Sequence, residues 1–296
     1  MRQSVFDHLA SSLCVTSICR SFGPDLKIGT HVNDAYKVLE KYEEPEFDEL
    51  NDPVRILNDD GLLLGLFSSA SVMNSQVDQY GEGIEGDDFW VEDFVEEIKP
   101  SELIGADTTI LEAVKIFARD ERHRYYIVRR NEIVGYLEYA HLFKPVGRLA
   151  FLALALEIED QARQLCQHHA FREDAWQSLP QGRRERAETL FRERHKKEPG
   201  KHDTRDLIEC TYLIDKANMV WKCKLIAGGS RSGLLGTFKK LERLRNFCAH
   251  PTSVVPNLSA EELWNLVNEV KNLIVNFEDR LRTHQVSDKK DPLIIW

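Results

Sequence analysis

Long apolar runs are missing from this 296-residue chain. The longest, 149–156 (LAFLALAL), stops at Glu157, far short of the roughly 20 apolar residues that a membrane-spanning helix needs. The start, MRQSVFDHLASSL, has an Asp and a His where a signal peptide is continuously apolar. The sequence therefore predicts a cytoplasmic protein with no membrane partner. The six cysteines form no Cys-x-x-Cys pair and no Cys/His cluster at zinc-ligand spacing, so they read as reduced thiols, most of them small buried residues. Pro (10) and Gly (16) are too scarce for a fibrous or disordered chain, and 42% hydrophobic residues suffice for real cores. At about 100–200 residues per domain the length predicts two domains, or three small ones. Some chemistry is also excluded. The Gly-rich stretch 228–233 lacks the Gly-Lys-Ser/Thr ending of a phosphate-gripping loop, and no Gly-x-Ser-x-Gly elbow occurs. His168-His169 has no third ligand nearby in sequence, so no metal site is expected.

What is present is unevenly charged. Residues 1–145 hold 14 Lys+Arg and 28 Asp+Glu, a net of −14, whereas 146–296 hold 25 and 21, a net of +4. The overall −10 thus hides an acidic front, which repels nucleic acid, and a mildly basic rear. The most basic stretch, 183–201 (RRERAETLFRERHKKEPGK), sets eight Lys+Arg against four Glu. It is either a polyanion contact or a solvated helix face of mixed charge.

The front reads as one pattern written twice. Segments 32–39 (VNDAYKVL) and 110–117 (ILEAVKIF) share the i, i+3, i+4, i+7 apolar spacing of a helix with one buried face. Each follows a short segment with Gly and Thr (LKIGTH; LIGADTT) and precedes a β-rich hairpin. The hairpins are VRILNDDGLLLGLFS, turning at Asp60-Gly61, and RYYIVRRNEIVGYLE, turning at Arg130-Asn131. A short helix start closes each copy (SSASVM; YAHLFK), and the acidic stretch 74–89 reads as the linker.

This pattern resembles a tandem pair of CBS domains over about residues 1–148. That family's most specific ending is Gly, two apolar residues, Ser or Thr, two variable residues and Asp, whose hydroxyl and carboxylate hold the ribose of an adenosine ligand. The copies here read Gly65-Leu66-Phe67-Ser68-Ser69-Ala70-Ser71 and Gly135-Tyr136-Leu137-Glu138-Tyr139-Ala140-His141. The Gly and apolar positions match. The hydroxyl position holds Ser68 or Glu138, and the carboxylate position Ser71 or His141. Ser and neutral His accept a ribose diol less well than a carboxylate does. The resemblance therefore implies a nucleotide-like effector at Ser68, Ser71, Glu138 and His141, or else a pair used only for dimerisation.

The rear half reads as all-helical. A long apolar-rich segment at 146–169 is followed by helical signals near 183–197, 203–227, 233–249 and 259–283, predicting a bundle of four or five helices. Asp203 or Thr204 is a candidate cap, and Ser259 with Glu262 makes a capping box. Phe151, Trp176, Phe191, Trp221, Phe238, Trp264 and Phe277 are expected in its core, and the apolar tail DPLIIW is expected to dock on a core or a partner chain.

The informative residues close the 233–249 helix: Arg245-Asn246-Phe247-Cys248-Ala249-His250-Pro251. Arg-x4-His alone is weak, because Arg163 and His168 repeat it by chance. Residues five apart on a straight helix differ by about 140° around the axis. A residue before proline leaves the α region, so His250 is expected at or just past the helix end, where its ring can turn back toward Arg245. Imidazole exchanges a proton near neutral pH, and a guanidinium offers paired donors to a phosphate.

In this context the motif resembles that of the HEPN family over about residues 146–285, with Arg245, Asn246 and His250 matching its Arg-x4–6-His signature. The resemblance implies a metal-independent endoribonuclease, needing no cofactor, whose two-fold dimer builds a composite site. His250 would move protons, Arg245 would steady the phosphorane charge, and Asn246 would orient the imidazole or touch phosphate. Glu157, Glu159 and Asp160 are supporting candidates on the first bundle helix. The alternative is a non-catalytic sensor-adaptor that recruits a protein. In it, Arg245 pairs with one of those acids and His250 caps carbonyls.

The expected plan is an α+β multidomain chain: CBS-like repeats at 1–78 and 90–148, a HEPN-like helical bundle at 149–285 and a tail at 286–296. Expected partners are an RNA substrate, a small nucleotide-like ligand, a second copy of the chain and a neutralising protein. By analogy of layout, the setting is prokaryotic defence or stress response.

Overall fold

The computed structural model describes residues 8–9, 12–42, 52–73, 89–120, 122–168, 170–194, 204–226, 230–250 and 258–288. Pro251, Asp203, the basic residues 195–201, most of the 74–89 linker and the DPLIIW tail lie outside them. The chain forms two units, one of Val15–Thr108 with Arg122–His141, the other of Met1–Cys14, Thr109–Glu121 and Leu142–Trp296.

The first unit holds two small sheets of one design. In the first, β1 (Leu26–Lys27) runs parallel to β2 (Val54–Leu57), which pairs antiparallel with β3 (Leu63–Phe67). In the second, β4 (Leu103–Gly105) runs parallel to β5 (Arg124–Arg129), which pairs antiparallel with β6 (Glu132–Glu138). The hairpin turns sit where the sequence puts them. Asn58 Oδ1 accepts from the Asp60 and Leu62 amides, and Gly61 takes φ +77°, a conformation that glycine adopts freely. In the other hairpin Arg130 is left-handed at φ 58°, which costs a non-glycine residue roughly 1 kcal/mol. Helix α1 (Val32–Glu40) buries Val32, Ala35 and Leu39 against Leu26, Val54, Ile56 and Phe67. That is the face its apolar spacing marks.

Two arms complete these sheets by exchange. Arg20 precedes the first sheet in the chain, yet its amide and carbonyl pair with those of Tyr136 on β6 at 2.8 and 2.9 Å. Glu96 precedes the second sheet and pairs in the same way with Leu66 on β3, at 2.8 and 3.1 Å. Only glycine permits the approach. A Cβ on Gly135 would lie 2.3 Å from the Arg20 carbonyl oxygen, and one on Gly65 would lie 2.8 Å from that of Glu96.

The second unit is helical. Its helices are α2 (Ile110–Asp120), α3 (Pro145–Gln167), α4 (Arg172–Ser178), α5 (Gln181–Arg194), α6 (Thr204–Glu209), α7 (Leu213–Lys222), α8 (Arg231–Ala249) and α9 (Ala260–Asp288). Helix α3 is central and packs against α7, α8 and α9, while α2 packs on α9. The predicted capping box starts α9: the Ser259 amide donates to Glu262 and the Glu262 amide to Ser259 Oγ, at 3.0 and 3.1 Å. The cores of α8 and α9 are built on Phe238, Leu241, Leu244, Val270 and Phe277, each fully buried side chain contributing about 1.5–3 kcal/mol.

Three expectations are corrected. The bundle from 145 onward has seven helices among the described residues, not four or five. The single helix expected at 203–227 breaks at Thr211-Tyr212: Thr211 Oγ1 donates back to the Ile208 carbonyl, and the extended Tyr212 gives its amide to Asp215 as α7 begins. Side chains there compete with the backbone ladder. Trp221 is 37% exposed rather than core, with Arg231 over its ring at 5.6 Å; the cation covers one ring face that the bundle does not.

Candidate functional site

Helix α8 delivers Arg245, Asn246 and His250 to one end. The helix stops at Ala249, and His250 caps it in extended geometry (φ −119°, ψ 111°), its amide donating to the Asn246 carbonyl at 3.1 Å. Asn246 and His250 are exposed. The tip is anchored by Phe247, which lies edge-on to Phe143 at 5.8 Å beneath the Arg148 guanidinium at 4.3 Å. Arg148 in turn donates from Nε to the Phe143 carbonyl at 2.8 Å. Burial pushes the neighbouring Cys248 thiol up to about 12, so it stays protonated at neutral pH and is no nucleophile.

The acids on α3 divide sharply. Glu159 Oε2 accepts from Arg245 Nη1 at 2.6 Å. Glu157 is buried, 2% exposed, and accepts from Gln161 Nε2 at 2.8 Å. Asp160 turns to Arg163 and Gln164. One helical turn presents all three acids in different directions, so only Glu159 joins Arg245.

Behind Glu159 stands a residue that sequence reading passed over. Lys216 on α7 is 2% exposed, donates from Nζ to the Thr211 carbonyl at 2.7 Å and lies 3.4 Å from Glu159 Oε1. Burial draws its amine below the usual lysine value, and the Glu159 charge opposes that shift. A signal for it was present: Leu213, Lys216, Ala217 and Val220 follow the buried-face spacing, so Lys216 occupies a core position.

The predicted ligand residues of the first unit fall in two places. Beyond β3, Ser68 Oγ lies 2.6 Å from Ser71 Oγ and donates to Glu96 Oε1 at 3.1 Å, and Ser71 Oγ also donates to Glu96. The carboxylate that the sequence lacks at position 71 arrives through space from the exchanged arm. Nothing local in the sequence signals Glu96, because it follows Ser71 by 25 residues.

At the end of β6, Glu138 is held by Arg124, Nη2 to Oε1 at 2.6 Å, and its amide donates to His141 Nδ1 at 3.1 Å. His141 is only 7% exposed. Arg124 lies 4.9 Å over the Tyr136 ring. Tyr136 donates its hydroxyl to Asp52 Oδ1 at 2.6 Å, and Asp52 pairs with Arg20 at 3.0 Å. Burial first, then the Asp52 hydrogen bond and charge, hold the Tyr136 proton well above the ordinary phenol range.

Among the described residues no group of three or more His, Cys, Asp or Glu side chains is placed to hold a metal ion. Nor, among them, is any helix long and apolar enough to cross a membrane. No curated protein matches the chain. Solved structures that resemble it include an uncharacterized conserved protein from Pyrococcus horikoshii, at 16% identity over 45% of this chain and 92% of that one, TM-score 0.35. The CBS domain of a CBS domain containing membrane protein from Sphaerobacter thermophilus is 12% identical over 46% and 91%, TM-score 0.35. A CBS domain-containing protein from Bacillus anthracis is 17% identical over 45% and 91%, TM-score 0.33. A family model described as CBS domain matches residues 92–146, the stretch that runs through β4, α2, β5 and β6. Residues 92–146 of this chain are a CBS domain.

Proposed function

We propose that the chain is a ligand-gated endoribonuclease: a tandem CBS pair at 1–78 and 90–148, a HEPN-like bundle at 149–285 and a tail at 286–296. The pairing of the two sheets in one design, with arms exchanged about glycines 65 and 135, supports the tandem reading. The observation that carries the nuclease reading is the tip of α8. An arginine near the end of the helix is fixed there by a carboxylate, and the histidine that caps the same helix is exposed.

In the proposed reaction an RNA 2′-oxygen attacks the adjacent phosphorus, the bond from phosphorus to the 5′-oxygen breaks, and a 2′,3′-cyclic phosphate and a 5′-hydroxyl form. One His250 takes the 2′-hydroxyl proton, and the His250 of a second copy returns one to the leaving oxygen. Arg245 steadies the charge on the non-bridging oxygens. Glu159 engages Nη1 of Arg245, and a guanidinium has further donors for phosphate. Asn246 is exposed beside them. No metal or cofactor takes part. A nucleotide at the CBS pair acts as effector, and a protein partner restrains the toxic activity.

A second reading rests on the same ion pair. If Glu159–Arg245 only ties α3 to α8, the bundle is an adaptor that recruits a protein. Structured RNA incubated with the full chain in EDTA separates the two. The nuclease reading expects cyclic-phosphate ends, lost on Arg245→Ala and on His250→Ala, with folding intact in both. Undiminished cutting by His250→Ala overturns it, and absence of cutting with every nucleotide added favours the adaptor.

A further inference from the structure

We propose that Lys216, a buried residue without access to substrate, sets the charge with which Arg245 meets a phosphate. This rests on the reading of Arg245 as a phosphate contact. The geometry is a line of three charges: Lys216 Nζ lies 3.4 Å from Glu159 Oε1, and Glu159 Oε2 lies 2.6 Å from Arg245 Nη1. A carboxylate shared by two cations leaves the line at net +1. An isolated Glu159–Arg245 pair would be net zero, and its guanidinium would be a poor anion receptor.

Exposure follows the same order. Lys216 is 2% exposed, Glu159 23% and Arg245 30%, so the cation that faces solvent is the arginine. The other cation near Lys216, Arg163, is answered by Asp160 and Glu209. The Lys216 charge is held in place by the carbonyl of buried Thr211 at 2.7 Å, at the break between α6 and α7. A buried charge acts at a distance because little water screens it. Lys216 is therefore a positioning residue for electrostatics, with Glu159 as the intermediary.

The two partners of this contact then have opposite effects, which a merely structural ion pair cannot produce. The test is fluorescence anisotropy of the full chain with a labelled, 2′-O-methylated RNA oligomer, which cannot be cleaved. Lys216→Met takes the line to net zero and weakens binding by up to about tenfold at low salt, the difference shrinking as salt rises. Glu159→Gln takes it to net +2, keeps an oxygen that accepts from Arg245, and binds as tightly as the parent or tighter. Opposite effects support the proposal. Parallel losses that track melting temperature, or no change in either variant, overturn it. Should Lys216→Met not fold, weakened binding by Glu159→Gln alone overturns it and tighter binding supports it. A parent chain that does not bind the oligomer overturns both this inference and the nuclease reading. Opposite effects in a chain that never cuts unmethylated RNA leave the inference standing and remove the nuclease. Cutting that is indifferent to Lys216→Met, with unchanged binding, removes the inference alone.

Discussion

At the ends of β3 and β6, the two copies of the β-α-β-β design treat equivalent positions in different ways. Each strand carries a glycine that lets an arm pass, Gly65 for Glu96 and Gly135 for Arg20. In the first copy the next polar positions, Ser68 and Ser71, are small hydroxyls gathered on a carboxylate from the arm. In the second they are Glu138 and His141, tied to Arg124 and to each other. The arm there contributes Arg20, whose charge is met by Asp52 beneath the Tyr136 hydroxyl. The backbone requirement is common to both copies because the arm crossing is the same. The side chains diverge: the Glu96 carboxylate gathers hydroxyls, whereas the Arg20 guanidinium is met by Asp52 and Glu138 is taken up by Arg124.

That comparison can be broken first at the glycines. In Gly135→Ala the new methyl meets backbone, 2.3 Å from the Arg20 oxygen, whereas in Gly65→Ala the nearest atom is a Val95 methyl at 2.4 Å, which can move. Urea unfolding is expected to show a loss of about 3 kcal/mol for Gly135→Ala and about 2 kcal/mol for Gly65→Ala. Equal losses would mean that the second arm is no more tightly seated than the first.

Next in size is Asp52→Leu. It leaves Arg20 and the Tyr136 hydroxyl without their carboxylate and is expected to lower stability by about 2 kcal/mol, below the range for fully buried pairs because Arg20 is 17% exposed. In the first copy the charged arm residue, Glu96, is exposed and is met by the Ser68 and Ser71 hydroxyls.

Tyr136→Phe sharpens the contrast through pH. The raised pKa of Tyr136 means that its contribution is complete below the unfolded phenol value, about 10, and is lost as pH rises through the folded value. At neutral pH the variant is expected to be less stable by about 1 kcal/mol. Above about pH 10 the gap closes and then reverses, because unfolded Tyr136 can ionise and phenylalanine cannot. A gap that stays constant with pH would show that the hydroxyl is solvated. The smallest effect is expected for Ser71→Ala, about 0.5 kcal/mol, since Ser68 still donates to Glu96.

How much of this could be read from the chain depends on the reach of each signal. The faces of α1 and α2, both hairpin turns and the Ser259–Glu262 capping box are local, and their spacing marks them. The Arg245–His250 motif was visible as a string, and so was the choice of acids on α3. Which acid meets Arg245 was not visible, because Glu157, Glu159 and Asp160 differ only in where one turn of α3 points them. The break at Thr211-Tyr212 was missed because no Gly or Pro marks it; hydrogen bonds from Thr211 and Asp215 make it instead.

The sequence by itself determined the succession of helix and hairpin in the front half, its repetition and the helical rear half, since apolar periodicity and turn residues act within a few positions; the short leading strands β1 and β4 lie in segments that read as turns. Tertiary structure alone decided that each arm crosses to the other sheet, that Glu96 supplies the carboxylate absent at position 71 and that Lys216 is buried behind Glu159. Those contacts join residues distant along the chain, backbone pairs at the arms, hydroxyls on Glu96 and a buried cation beside Glu159, which only the folded neighbourhood defines.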